Sequence, residues 1–223
     1  PRGRSLASRF IEKMPRVGCF APRVVDKMPR DLSDISSTLT KVKALRPDML
    51  IISGHSKGAA TAARQIKEMQ IQVPIIAMTH CEAAKVISKF GSATEGFLCP
   101  TQWAETLSYS DNLFGAASTY DLLFKGSFEG YKNVPYQSAQ ASAAVMVWKD
   151  AFERANSFDT EKVRDAISST NMSTFYGNIK FSSAGNNIAK PMVLRQIQNG
   201  KLNVVAPLKW ASHPASYPRS VKY

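Results

Sequence analysis

Gly54-His55-Ser56-Lys57-Gly58 places a hydroxyl, an imidazole and an amine within five residues, directly after the apolar run Met49-Leu50-Ile51-Ile52. Gly-x-Ser-x-Gly is the spacing of the serine-hydrolase nucleophile elbow, where a tight strand-to-helix turn exposes a seryl oxygen. The same residues suit an ordinary strand-to-helix turn, in which Gly and Ser are favoured for backbone reasons. A hydrolase also needs an upstream oxyanion loop, then an acid and a histidine in the order Ser, Asp/Glu, His. His213 follows Ser56, and Asp111, Asp121, Asp150, Asp159 and Asp165 lie between them. The 55 residues before Ser56, however, contain no His-Gly or Gly-Gly pair, and His213 sits in a Pro-containing tail. The order permits a triad; the context argues against one. Ser56 is thus a nucleophile in the alternative reading, an α/β-type serine hydrolase, and a turn residue or helix N-cap otherwise.

Metal and thiol chemistry find less support. His55, His80, Cys81 and Cys99 can be imagined around a zinc ion, but their spacings match no structural zinc site. The cysteines number three, Cys19, Cys81 and Cys99, without Cys-x-x-Cys spacing, so neither a disulfide framework nor a redox motif is expected. They read as small buried thiols. No metal and no cofactor is implied.

The formal net charge of +12 is unevenly laid out. Residues 1–30 carry eight Lys/Arg against Glu12 and Asp26, and after Asp165 seven Lys/Arg follow with no acid. Such a surface suits an anionic partner, but there is no Arg-rich helix, aromatic ladder or finger spacing, so nucleic acid is not expected. The longest apolar run, 143–148, is far too short to cross a bilayer. The start at Pro1, in a basic segment, reads as that of a processed or incomplete product.

These residues must be positioned by alternating elements. The pattern predicts helices over 3–14, 34–45, 56–69 and 82–90, the first turn of 34–45 accepting on Ser33 or Asp34. Strands are expected at 49–53, 73–78 and 96–98, with a strand edge at Val24-Val25. Such βα alternation argues for a parallel sheet covered by helices on both faces, with ligands collecting at the carboxyl ends of its strands. His55-Ser56 and Thr79-His80 then fall side by side, as loop residues after neighbouring strands. From Pro100 helices dominate, over 111–128, 137–155 and 160–169, the last capped by Asp159 or Thr160. A strand at 177–181 and a pair at 192–198 and 202–206 follow, joined through Asn199-Gly200, a type I′ hairpin turn. The last fifteen residues read as an irregular strap.

Read in order, several segments resemble one family. Gly3-Arg4-Ser5-Leu6-Ala7, Asp31-Leu32-Ser33-Asp34-Ile35-Ser36 and Pro47-Asp48-Met49-Leu50-Ile51-Ile52 are three of them. Glu95-Gly96, Lys162-Val163-Arg164-Asp165-Ala166, Tyr176-Gly177-Asn178-Ile179-Lys180-Phe181 and Gln196-Ile197-Gln198-Asn199-Gly200-Lys201 complete the series. Together they resemble the C-terminal two-thirds of type I periplasmic solute-binding proteins, the branched-chain or hydrophobic amino-acid receptors of ABC transporters. The resemblance implies an α/β fold of two Rossmann-like lobes that close on a ligand by hinge motion. Residues 1–98 would be most of the second lobe, 99–175 the helical part of the first, and 176–223 return strands, hairpin and tail. It also implies a non-enzymatic, periplasmic protein whose partners are a small solute, an amino acid or related carboxylate or amide, and a transporter permease, its only link to the membrane.

By the same resemblance, His55, Ser56, Thr79 and His80 would face ligand, with Gln102 and Trp103 adding an amide and an aromatic wall. The loop at Thr79-His80 usually carries an acid for a ligand ammonium; here that place holds His80, with Glu82 two residues on. An imidazole serves an ammonium poorly but donates well to carboxylate or carbonyl oxygen. Arg2 replaces a ligand-facing Tyr of the family. Alternatives stay open: Trp103 as a plug of the hinge core, Tyr136 and Trp148 as helix packing, and His55 and His80 as plain loop residues.

Overall fold

A computed structural model of the protein describes residues 24–27, 29, 31 and 33–219. The helix expected over 3–14, as well as Arg2 and Cys19, lies outside the described residues.

Chain order opens with α1 (Ser36–Leu45), β1 (Met49–Ile52), α2 (Ser56–Glu68), β2 (Ile75–Met78), α3 (Ala84–Phe90), a short 3-10 turn (Gly91–Thr94) and β3 (Leu98–Thr101). Helix α1 starts two residues later than expected because the Asp34 carboxylate already accepts the Ser36 N–H at 2.9 Å, as foreseen for Asp34. Ser33 instead turns its hydroxyl to Asp31, at 2.6 Å. Arg46, in the left-handed conformation at φ 45°, ends the helix ahead of Pro47. In α2 the buried Ala59, Ala62, Ala63 and Ile66 recur at helical spacing, presenting one apolar stripe to the sheet.

Strands β1, β2 and β3 pair in parallel. The expected strand edge at Val24-Val25 does not form among the described residues: both lie outside any strand and half-exposed, so little burial rewards a ladder there. The chain then leaves the sheet through two-residue strands β4 (Ser110–Asp111) and β5 (Gly115–Ala116), α4 (Ala117–Ser127), α5 (Tyr136–Ala155), α6 (Thr160–Ser168), and a hairpin of β6 (Asn171–Thr174) and β7 (Gly177–Lys180). Helix α4 begins six residues after the expected 111. Asp111 Oδ1 accepts the N–H groups of Leu113 and Phe114 at 2.8 and 2.7 Å, and this Asx turn with Gly115 folds a small hairpin instead. Asp159 caps α6 as expected, accepting from Glu161 and Lys162.

The return is made by β8 (Val193–Gln198) and β9 (Lys201–Ala206). They join the sheet beyond β3, in the order β1-β2-β3-β8-β9. Both new pairings are antiparallel, so the expected parallel sheet is mixed. A two-residue connection can only join antiparallel strands. Asn199 and Gly200, at φ 53° and 70°, form that turn as expected, and the Glu95 carboxylate accepts both of their N–H groups. Residues 211–219 run back along the sheet as an irregular strap, held where Gln196 Oε1 accepts the Ser216 N–H at 2.7 Å.

Two cores result. One packs α1, α2 and α3 against β1–β3 through Leu39, Ile66, Ile76, Met78 and Phe97. Burying each of these stabilises the fold by roughly 1.5–3 kcal/mol before entropy is counted. The other gathers Trp103, Tyr120, Met146, Phe175 and Val193 beneath α4 and α5, with the Tyr120 and Phe175 rings stacked at 3.9 Å. Cys81 and Cys99 are both fully buried, but they are bonded to each other rather than free. Parallel pairing of β2 with β3 brings their Cα atoms to 5.5 Å, within disulfide reach, which an 18-residue separation in sequence does not announce.

Candidate functional site

The carboxyl ends of β1, β2 and β3 open into one corner of the molecule. The Thr79 N–H continues the ladder to Ile52 C=O at 3.1 Å. Its hydroxyl then accepts the Gly54 N–H at 2.9 Å and donates to Gly54 C=O at 2.7 Å. Thr79 thereby locks the β1 and β2 loops together, and its proton is spent.

His80 follows in the left-handed conformation, φ 59°. Its ring centre lies 5.9 Å from that of His55 and 6.5 Å from that of Tyr136, the first residue of α5. Partial burial, and secondarily the neighbouring His55, hold the His80 pKa below the usual histidine value. At neutral pH it is a neutral imidazole with one donor and one acceptor. A cavity of about 80 Å³ opens here, lined by Thr79, His80, Pro100, Thr101, Gln102, Tyr136 and Met192. None of these carries an acid. Whole small-molecule sites hold about 300–1,000 Å³, so this cavity is one wall of a site rather than a closed chamber. An open groove of about 530 Å³ between α2 and α3, lined by Arg64, Lys67, Glu68, Gln70, Lys89 and Phe90, lies away from these strand ends.

Charge is stored behind the wall. Arg195 on β8, its side chain 5% exposed, faces Glu82 at 3.9 Å and donates to Glu105. Burial, opposed by Arg195, pushes the Glu82 carboxyl up to about 7. Lys190, just before β8, donates to the Gln102 carbonyl and lies 4.1 Å above the Tyr176 ring. Burial lowers its amine to about 8 and raises the Tyr176 hydroxyl to about 12.

Of the residues expected to face ligand, Thr79, His80 and Gln102 meet at the cavity. His55 borders His80 but lies exposed outside, as does Ser56. Trp103 is corrected: its indole is 1% exposed, its N–H donates to Phe175 C=O at 3.2 Å, and it packs edge-on against Tyr120, so it offers no wall to a ligand. Ser56 is not the N-cap of α2; His55 holds that position without a side-chain bond, and Ser56 opens the helix. Nor does Ser56 show the positive φ of a strained elbow. His213 meets Ser212, at 3.2 Å. Tyr136 was foreseen only as packing, yet it closes the cavity. Pro100, Thr101, Met192, Lys190 and the disulfide were not foreseen as parts of this corner, and no local pattern marks them. Trp148, by contrast, is half-exposed on α5 and stacks on Phe152.

Comparison with known proteins places this geometry. The family model described as "Periplasmic binding protein" matches residues 15–201. A leucine-binding protein from Thermotoga maritima superposes with a TM-score of 0.74 at 27% identity, over 90% of this chain and 55% of that one. A putative branched-chain amino acid ABC transporter protein from Silicibacter pomeroyi gives 0.64 at 16%, over 83% and 51%. A solute-binding protein of an ABC transporter from R. palustris, in complex with benzoate, gives 0.61 at 18%, over 81% and 47%. The chain thus spans about half the length of the solved structures it matches.

Proposed function

Because this chain belongs to the periplasmic binding protein family, we propose that it is the solute-binding component of an ABC importer for amino acids or related small carboxylates and amides. Solute is held between two lobes that close about a hinge. The family is one of substrate-binding proteins, and the chain acts without catalysis. Its partners are the solute and a transporter permease. It works in the periplasm, a location that the Cys81–Cys99 disulfide suits, since such bonds persist in oxidising compartments.

The observation that carries this reading is the wall of His80, Gln102 and Tyr136 at the carboxyl edge of the sheet. Among the described residues, the His80 ring, the Gln102 amide and the Tyr136 hydroxyl have no hydrogen-bond partner. Unspent polar tips around a small cavity are what an oriented solute needs. An imidazole, an amide and a phenol, with no acid lining the cavity, favour a solute that offers carboxylate or carbonyl oxygen over one recognised by its ammonium alone. The relatives' solutes, leucine and benzoate, share a carboxylate.

The test is isothermal titration calorimetry on the complete protein with leucine, benzoate and primary amides of matching size. Saturable binding that weakens in His80→Ala supports the reading. Unchanged affinity in that variant removes His80 from the site.

A further inference from the structure

His80 is the cavity residue with the most demanding backbone. A non-glycine residue in the left-handed region costs free energy and persists where its surroundings over-determine it. On its N-terminal side the determinant is Thr79, whose hydroxyl accepts from the Gly54 N–H and donates to the Gly54 C=O. On its C-terminal side two different bonds meet. Cys81 is joined to Cys99 of β3, and Glu82 faces Arg195 of β8 at 3.9 Å. Arg195 stands opposite Cys99 in the β3–β8 ladder. The path from Cys81 through Cys99 and Arg195 to Glu82 is therefore a closed ring made of a disulfide, a strand pairing and an ion pair. It is rigid for a further reason: both cysteines are 0% exposed and the Arg195 side chain is 5% exposed. A buried disulfide of this kind is a fixed brace, out of reach of solvent thiols.

We propose that the Cys81–Cys99 disulfide and the Glu82–Arg195 ion pair are joint positioning elements of the solute pocket, holding the left-handed His80 turn so that its ring faces Tyr136 across the cavity. The role rests on reading that cavity as a solute site. Neither pair touches solute; both act through His80. Arg195 is held in turn by Glu105, to which it donates.

The experiment uses the complete protein labelled with ¹³Cε1-histidine, as wild type, as the C81A/C99A double variant and as E82Q. Without solute, NMR reads the titration midpoint of His80 and the cross-relaxation between the His80 and Tyr136 rings; calorimetry then reads binding of leucine and of benzoate. In the wild type the midpoint lies below the ordinary histidine value and the ring cross-peak is present. In both variants the midpoint is expected to rise toward the ordinary value, the cross-peak to fade, and affinity to fall by about tenfold or more. Loss of the Glu82 charge acting directly on the imidazole can only lower the midpoint, so a rise reports a ring moved out of cover. A merely structural staple would lower the melting temperature and leave both His80 signals in place; that outcome overturns the proposal. Should C81A/C99A fail to fold, E82Q decides alone, with unchanged His80 signals overturning it. If the His80 signals move as expected while wild-type protein binds neither probe, the brace stands and the leucine or benzoate reading of the pocket falls.

Discussion

The rings of His80 and Tyr136 face each other at 6.5 Å, 29° from parallel, one carried on the turn after β2 and the other on the first residue of α5. His80 follows a strand of the first core and Tyr136 packs against the second, so this pair is where a strand end of one meets a helix start of the other.

His80→Ala in the complete protein should weaken binding of its solute by more than about 1 kcal/mol, the net value of one hydrogen bond, or roughly fivefold in Kd. Tyr136→Phe should cost a similar amount if its hydroxyl is a contact, and nothing if the ring only packs. Calorimetric titration of both variants separates these cases.

Removing the Cys81–Cys99 bond should destabilise the chain. The closed loop has a separation of 18 residues, for which chain-entropy arguments give about 3 kcal/mol. Urea unfolding of C81A/C99A against wild type reads the loss as a lower midpoint. A change well under 1 kcal/mol would mean that the unfolded chain gains little freedom when the bond is cut.

Stability should fall as pH rises from about 4.5 to about 7, through Glu82. Burial raises its folded-state pKa from 4.5 to about 7, so over that interval the folded form holds a proton that the unfolded form has released. The contribution is complete below the unfolded pKa and lost as pH climbs through the folded one. Glu82→Gln should flatten this part of the profile by an amount on the order of 1–3 kcal/mol. Thermal unfolding at pH 5 and pH 8 for both proteins checks it; parallel profiles would remove Glu82 as the source.

Gly177→Ala should be disruptive for two separable reasons. At φ 143° only glycine is at ease, and an added Cβ would stand 2.5 Å from Lys190 Cδ. A cost of about 1–3 kcal/mol is expected. Lys190 would be pushed from the Tyr176 ring. Adding Lys190→Ala should recover the steric share and leave the backbone share, so an additive double variant in chemical denaturation would contradict the contact.

Ser56→Ala should change neither stability beyond about 0.5 kcal/mol nor any ester hydrolysis, since the hydroxyl is exposed at an ordinary helix start. Hydrolysis of a p-nitrophenyl ester that vanishes in this variant would restore the enzyme reading.

Where sequence reasoning worked, the cause was local. Helix α2, the Asp159 cap and the Asn199-Gly200 turn are each decided within a few residues, and each formed as expected. Thr79, His80 and Gln102 line one cavity because strand ends of a βα sheet share one edge. It failed where two distant segments had to meet. Trp103 carries the same aromatic signal whether it faces solute or core, and the Phe175 carbonyl, 72 residues on, turns it inward. Tyr136 gave no sign that α5 would start at the cavity. Asp111 looked like the start of a helix because its hold on Phe175 N–H, at 2.6 Å, cannot be read from neighbouring residues.

By itself the sequence determined the alternating elements and the order of family-like segments, because periodicity, turn chemistry and residue type are properties of short stretches. Tertiary structure alone decided that Cys81 bonds Cys99, that Arg195 comes to Glu82, and that Tyr136 rather than Trp103 faces the cavity. Those outcomes depend on strand register and on which core each side chain can reach, and both are set by packing across the whole chain.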